Sequence, residues 1–149
     1  MGKLIYYYGS MSSGKSTNLL QTAYNHKKNG MEVVYLTSAL DDRYGVGTIK
    51  SRIGIEAQAE IIPKDDSTLL LDIKKRLEQN LDINSIYVDE CQFLNKEQVD
   101  ILSEIADEYN VDVYCYGILT DFETNLFDGS RRLFEIADEI HQLHNVCEH

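Results

Sequence analysis

The stretch YYYGSMSSGKST, residues 6–17, decides how the rest of the chain is read. An aromatic run stops at a glycine, small polar residues follow, and then comes Gly-Lys-Ser. Gly9, Gly14, Lys15 and Ser16 complete the pattern G-x-x-x-x-G-K-[ST], with Ser10, Met11, Ser12 and Ser13 between the glycines. This is a P-loop. Gly9 can leave a strand with a positive φ, and Gly14 lets backbone amides approach an anion without a Cβ in the way. Lys15 then reaches the β and γ phosphates of a nucleoside triphosphate. The Ser16 hydroxyl is placed to hold Mg²⁺, and the helix starting here aims its positive end at the phosphates. The flanks agree with that geometry. LIYYY (4–8) reads as a strand, and STNLLQTAYNHKKNG (16–30) reads as an amphipathic helix that ends at Gly30.

Outward from the loop, β-rich runs alternate with helical patterns. MEVVYLT (31–37), SIYVDE (85–90) and VDVYCYG (111–117) read as buried strands, while STLLLDIKKRLEQN (67–80) and NKEQVDILSEIADEY (95–109) carry helical spacing. Asn95 suits the N-cap of the second helix. The expected fold is therefore α/β, a P-loop NTPase with a parallel central sheet flanked by helices on both faces. Its ligands belong at the carboxyl ends of the strands. At 149 residues the chain is read as one domain, able to bury about 70% of the surface its unfolded form exposes. Residues 41–54, DDRYGVGTIKSRIG, are expected to form a mobile loop.

Composition narrows the partners. With 25 acidic against 14 basic residues the net charge is -11, so the overall field repels nucleic acid and anionic membrane. A small anion must be captured locally. No signal peptide and no apolar run near the roughly 20 residues that span a bilayer are expected, and the cytoplasm is the expected location. Cys91 and Cys115 lie in apolar stretches and read as reduced core residues.

A P-loop protein needs an acidic residue at the end of another strand to fix the metal's water shell. IYVDECQF (86–93) supplies Asp89, a Walker B aspartate. Glu90 follows and projects differently, so it is free to accept a proton from a nucleophile. The nucleotide-binding set then comprises residues 9–16 with Asp89, Glu90, Cys91 and Gln92. A glutamate in this place can equally activate water, as in ATPases. The two motifs alone give a Mg-dependent NTP user.

Longer signatures add a resemblance. GSMSSGKST, DDRYGVG with SRIG, VDECQFL, CYGILTDF with NLFDGS, and VC near the end are similar, in order and spacing, to the thymidine kinases of bacteria and animal cytosol. The resemblance covers nearly the whole chain and implies a RecA-like core. It implies transfer of the ATP γ-phosphate to the 5′ hydroxyl of thymidine, with Glu90 as general base and Asp41 and Arg43 near metal and phosphates. It places the thymine ring among Met11, Phe93, Ile118, Phe122 and Phe127. It further implies a role in supplying DNA synthesis, homotetramers, and a zinc-bound lasso after this domain. Of that lasso the chain is expected to hold at most a beginning at residues 147–149, where Cys147 and His149 offer two of the four ligands zinc takes. Two positions depart from the family pattern: Glu123 stands where a basic residue is common, and Leu119 where a charged one is usual. Two further readings compete with a kinase: an ATP-driven NTPase machine, and a nucleotide-binding module without turnover.

Overall fold

The computed structural model describes residues 1–10, 14–121 and 123–144. In chain order its elements are β1 (Leu4–Tyr8), α1 (Lys15–Lys28), β2 (Val33–Ser38), β3 (Val46–Lys50), β4 (Glu56–Ile62), α2 (Thr68–Glu78), β5 (Ser85–Asp89), α3 (Lys96–Tyr109), β6 (Asp112–Gly117), α4 (Asp128–Ile136) and β7 (Glu139–Gln142). The strands form one sheet in the order β3-β4-β2-β5-β6-β1-β7. All pairings are parallel except β3 with β4. The carboxyl ends of β1, β2, β5, β6 and β7 therefore share one edge, as parallel pairing requires.

Successive side chains of a strand point to opposite faces, and the two faces are covered differently. On one, Leu19, Leu20 and Ala23 of α1 pack against Tyr87 and Tyr116. Tyr7 stacks on Tyr116 with ring centroids 4.6 Å apart, and Tyr87 on Tyr114 at the same distance. On the other face, Leu70 and Ile73 of α2, Val99, Leu102 and Ile105 of α3, and Leu133 of α4 close over Leu4, Tyr6, Ile86, Val88, Val113 and Cys115. Each fully buried leucine or isoleucine here contributes about 1.5–3 kcal/mol. Cys91 and Cys115 are wholly buried thiols, as their apolar surroundings predict.

The capping of α3 positions the neighbouring site. Asn95 accepts a hydrogen bond from the Gln98 amide (2.8 Å), and the Gln98 side chain accepts one from the Asn95 amide (2.9 Å), which makes a capping box. The buried Gln98 amide group also donates to the carbonyls of Pro63 and Asp66, tying the turn after β4 to the start of α3.

Two expectations need correction. Residues 41–54 are not simply a loop, because β3 pairs antiparallel with β4 and tethers the segment. The Ile61 amide donates to Gly45, the Lys64 amide donates to Asp41, and the Tyr44 hydroxyl donates to Asp66. Gly9 does not take a positive φ; among the described P-loop residues it is Gly14, at φ 77, that enters the left-handed region. Gly9 continues the strand direction instead, its amide donating to the Gly117 carbonyl.

Candidate active site

β1 and β5 are separated by one strand, β6, and their ends carry the two halves of the site. Gly14 turns the chain into α1, so Lys15 and Ser16 stand in the first turn, where backbone N–H groups lack helical acceptors. Lys15 is 9% exposed. The Ser16 hydroxyl donates to Asp89 Oδ2 at 3.4 Å, which is long for an O–H···O bond.

Asp89 ends β5 and is buried. Burial, seconded by the charge of Glu90, pushes its carboxyl up to about 6; the Glu90 backbone amide, then Lys15 and the Ser16 hydroxyl, hold it down. Its Oδ1 is buried with no hydrogen-bond partner among the described residues. A buried carboxylate oxygen left unmatched, beside a hydroxyl spaced too far for a good hydrogen bond, is a donor set that fits a hard divalent cation.

Glu90 adopts φ 56, ψ 38, a left-handed conformation that costs a non-glycine residue about 1 kcal/mol or more. The turn swings its side chain off the line of β5, so the adjacent carboxylates of Asp89 and Glu90 occupy different surroundings. Glu90 Oε2 accepts a hydrogen bond from the Gln92 side chain. Gln92 is 3% exposed, and Cys91 faces the core.

Beyond the end of β6 an open cleft of about 560 Å³ is walled by Tyr8, Gly9 and Ser10 on one side and Ile118, Leu119 and Phe127 on the other, with Gln142 of β7 at its edge. A smaller cavity of about 220 Å³ lies between Leu40, Lys64, Phe93 and Phe127. Phe127 is the wall the two share. It meets Phe93 edge-on, with centroids 5.8 Å apart. Leu119 turns its apolar side chain onto the core, and Glu123 is exposed. The loop between them is folded back by Asp121, whose Oδ1 accepts from the amides of Glu123 and Asn125.

Gly14, Lys15, Ser16, Asp89 and Glu90 are thus gathered at one edge of the sheet, with Phe93, Ile118 and Phe127 next to them. Asp41 and Arg43 lie beyond β2 at that edge, exposed and paired with each other: Arg43 Nε is 2.9 Å from Asp41 Oδ1. That pairing, led by the Arg43 amide, keeps the Asp41 carboxyl below its usual range. Met11, Ser12, Ser13, Phe122, Cys147 and His149 lie outside the described residues. Sequence reasoning missed Tyr8, Thr120, Asp121 and Gln142 as cleft residues. Only their places at or just after strand ends marked them. No helix of the described residues is long and apolar enough to cross a membrane.

Comparison with known proteins supports the same reading. A family model described as thymidine kinase matches residues 2–149. A thymidine kinase of Pasteurella multocida is 45% identical over 147 residues, covering 99% of this chain and 76% of the relative. One from Aliivibrio fischeri is 43% identical over 147 residues, and one from Vibrio vulnificus 45% over 152, each with the same coverage. The chain spans about three quarters of the length of these relatives.

Proposed function

The chain belongs to the thymidine kinase family, and on that premise we propose how its residues carry phosphoryl transfer from ATP to the 5′ hydroxyl of thymidine. The observation that supports the assignment is the meeting of Lys15, Ser16 and Asp89 with Glu90 and the Phe93–Phe127 pair at one edge of the sheet.

Lys15 and the free amides of the first turn of α1 bind the phosphates and stabilise charge that spreads over the transferred group. Ser16 and Asp89 hold Mg²⁺, and Asp41 is a further candidate near it. Bound there, the ion neutralises charge on the phosphate oxygens. Glu90 takes the proton from the attacking hydroxyl. Its turned backbone keeps that carboxylate apart from Asp89, so one acid serves the ion and the other serves the proton. Phe93 and Phe127 offer flat faces on which a pyrimidine stacks, with Ile118 adding apolar surface beside them; Met11 and Phe122, outside the described residues, are the further candidates for this pocket. Arg43, on the loop after β2 and paired with Asp41, is the candidate to add positive charge at the transferred phosphate once that pair opens.

The proposal extends to a cytoplasmic enzyme that feeds DNA synthesis and assembles as a homotetramer. It includes zinc bound through Cys147 and His149 where two further ligands complete the site. The deciding experiment incubates the purified chain with Mg-ATP and thymidine and separates the products. Formation of dTMP and ADP in equal amounts is expected. ATP hydrolysis that ignores thymidine would overturn the assignment.

A further inference from the structure

Gln92 is a buried polar side chain whose two functional atoms are both engaged, at opposite ends of the site. Its Nε2 donates to Glu90 Oε2, and its Oε1 accepts from the Ile118 amide at 3.3 Å. One amide group thus joins the carboxylate after β5 to the first residue after β6. The backbone makes room for it: a Cβ on Gly117 would stand 2.5 Å from Gln92 Oε1 and 2.8 Å from Cys91 Sγ. The turn that carries Gln92 is held in its own right, with the Phe93 amide donating to Glu90 and the Leu94 amide to Cys91.

We propose that Gln92 is a positioning residue of the phosphoryl-transfer reaction, fixing the Glu90 carboxylate by hydrogen bond and tying it to the strand end that carries Ile118. This rests on the reading of Glu90 as general base. An unrestrained glutamate has several rotamers and needs only one of them to reach the acceptor hydroxyl. The hydrogen bond selects the rotamer. Because the other end of the amide holds Ile118, the base and the apolar wall of the nucleoside pocket keep a fixed separation. Gln92 is 3% exposed, so in this arrangement it acts on the reaction through Glu90 and Ile118.

Two variants separate this role from a structural one. Gln92→Glu keeps the volume and the acceptor for the Ile118 amide but replaces the donor with an oxygen facing Glu90. Gln92→Leu removes both hydrogen bonds. Steady-state kinetics with thymidine, Mg-ATP titration and thermal melting are measured on each, with Glu90→Gln alongside. For Gln92→Glu, whose added carboxyl lies buried beside Glu90, Tm is expected to fall; measured well below that Tm, kcat is expected to fall at least about tenfold while thymidine KM and Mg-ATP Kd stay within about twofold. For Gln92→Leu, thymidine KM is expected to rise as well. Should Gln92→Leu fail to fold, the near-isosteric Gln92→Glu carries the test. An unchanged kcat in Gln92→Glu, or a fall matched by weakened Mg-ATP binding, overturns the positioning role. If Glu90→Gln turns over normally, the base reading itself is lost and the proposal goes with it. If Glu90→Gln is inactive and Gln92→Glu is not, the positioning role alone fails.

Discussion

Ser16 Oγ lies 3.4 Å from Asp89 Oδ2, bringing the first turn of α1 to the end of β5 across the intervening strand β6. The burial that makes Asp89 useful to a cation also makes it costly without one. Its carboxyl titrates near 6 in the folded protein and near 3.8 when exposed. The folded state therefore binds the proton more tightly than the unfolded state, and stability in the absence of metal falls as pH rises from about 4 through about 6. The full penalty above that range is about 3 kcal/mol. Asp89→Asn does not titrate, so its metal-free Tm should match wild type near pH 4 and exceed it by several degrees at pH 8. Mg²⁺ should raise the wild-type Tm more at pH 8 than at pH 5. Melting curves at the two pH values check both statements, and an Asn variant less stable at pH 8 would refute them.

Lys15→Ala should abolish phosphoryl transfer, a loss of about two orders of magnitude or more, while leaving the fold intact. The charge at the phosphates stabilises the reacting group more than it stabilises the native core. Lys15 also helps to keep Asp89 ionised, so the variant should hold the Asp89 proton to higher pH. Turnover assays and a pH series of melting curves test the two consequences separately.

Adjacent carboxylates with separate tasks should give separate phenotypes. Glu90→Gln is expected to lower kcat by about 10²–10⁴ with Mg-ATP binding little changed, because it removes the proton acceptor and not the charge at the ion. Asp89→Asn should weaken metal-dependent nucleotide binding as well. Isothermal titration beside initial-rate measurements distinguishes them, and identical profiles would contradict the division of roles.

Gly129, in the first turn of α4, lies against the turn that carries Gln92. A Cβ there would stand 2.4 Å from the Cys91 carbonyl oxygen and 2.7 Å from that of Leu94. Backbone on both sides leaves nothing cheap to move. Gly129→Ala should destabilise the protein by about 2 kcal/mol, read as a Tm drop of about 5 °C, and should lower activity by shifting Phe127 and the turn at residues 91–93 together.

The central strands and the phosphate loop were legible because their signals are local. The apolar run of β5 is buried on both faces and those of β2 and β6 are half-buried or buried, and the spacing from Gly9 to Ser16 is a motif in itself. The edge was not legible. VGTIK of β3 is the antiparallel edge strand and EAQAEII of β4 the strand that joins it to the parallel sheet; both carry exposed polar residues, and glycine on either side of β3 made the segment read as a loop. Gln98 shows the limit more sharply, since it is a polar residue on the buried face of α3. Its spacing from Asn95 fits a capping box, but its bonds to Pro63 and Asp66 arise only from the tertiary fold. Likewise the hydrogen bond of Gln92 to Ile118 joins residues 26 apart in sequence, a relationship no motif encodes.

Phe127 separates two cavities and meets Phe93 edge-on, which gives the nucleoside pocket a rigid aromatic wall. If thymine stacks there, the wall contributes mainly to binding, because a stacked ring is held alike in ground state and transition state. Phe127→Ala should therefore raise thymidine KM about tenfold or more, in keeping with the 1–3 kcal/mol a base gains by stacking, and change kcat much less. Mg-ATP Kd should not move, since the phosphates are assigned to Lys15 and Ser16, which do not line the cleft beside Phe127. Phe127→Tyr keeps the ring and should stay near wild type in KM. Selectivity gives a second readout: the wild type should prefer thymidine over purine deoxynucleosides, and Phe127→Ala, which removes the wall, should narrow that preference. The measurements are initial rates over a thymidine series and a deoxyadenosine series for the three proteins. A Phe127→Ala enzyme with unchanged thymidine KM, or a wild type that phosphorylates purines equally well, would show that the base is bound elsewhere.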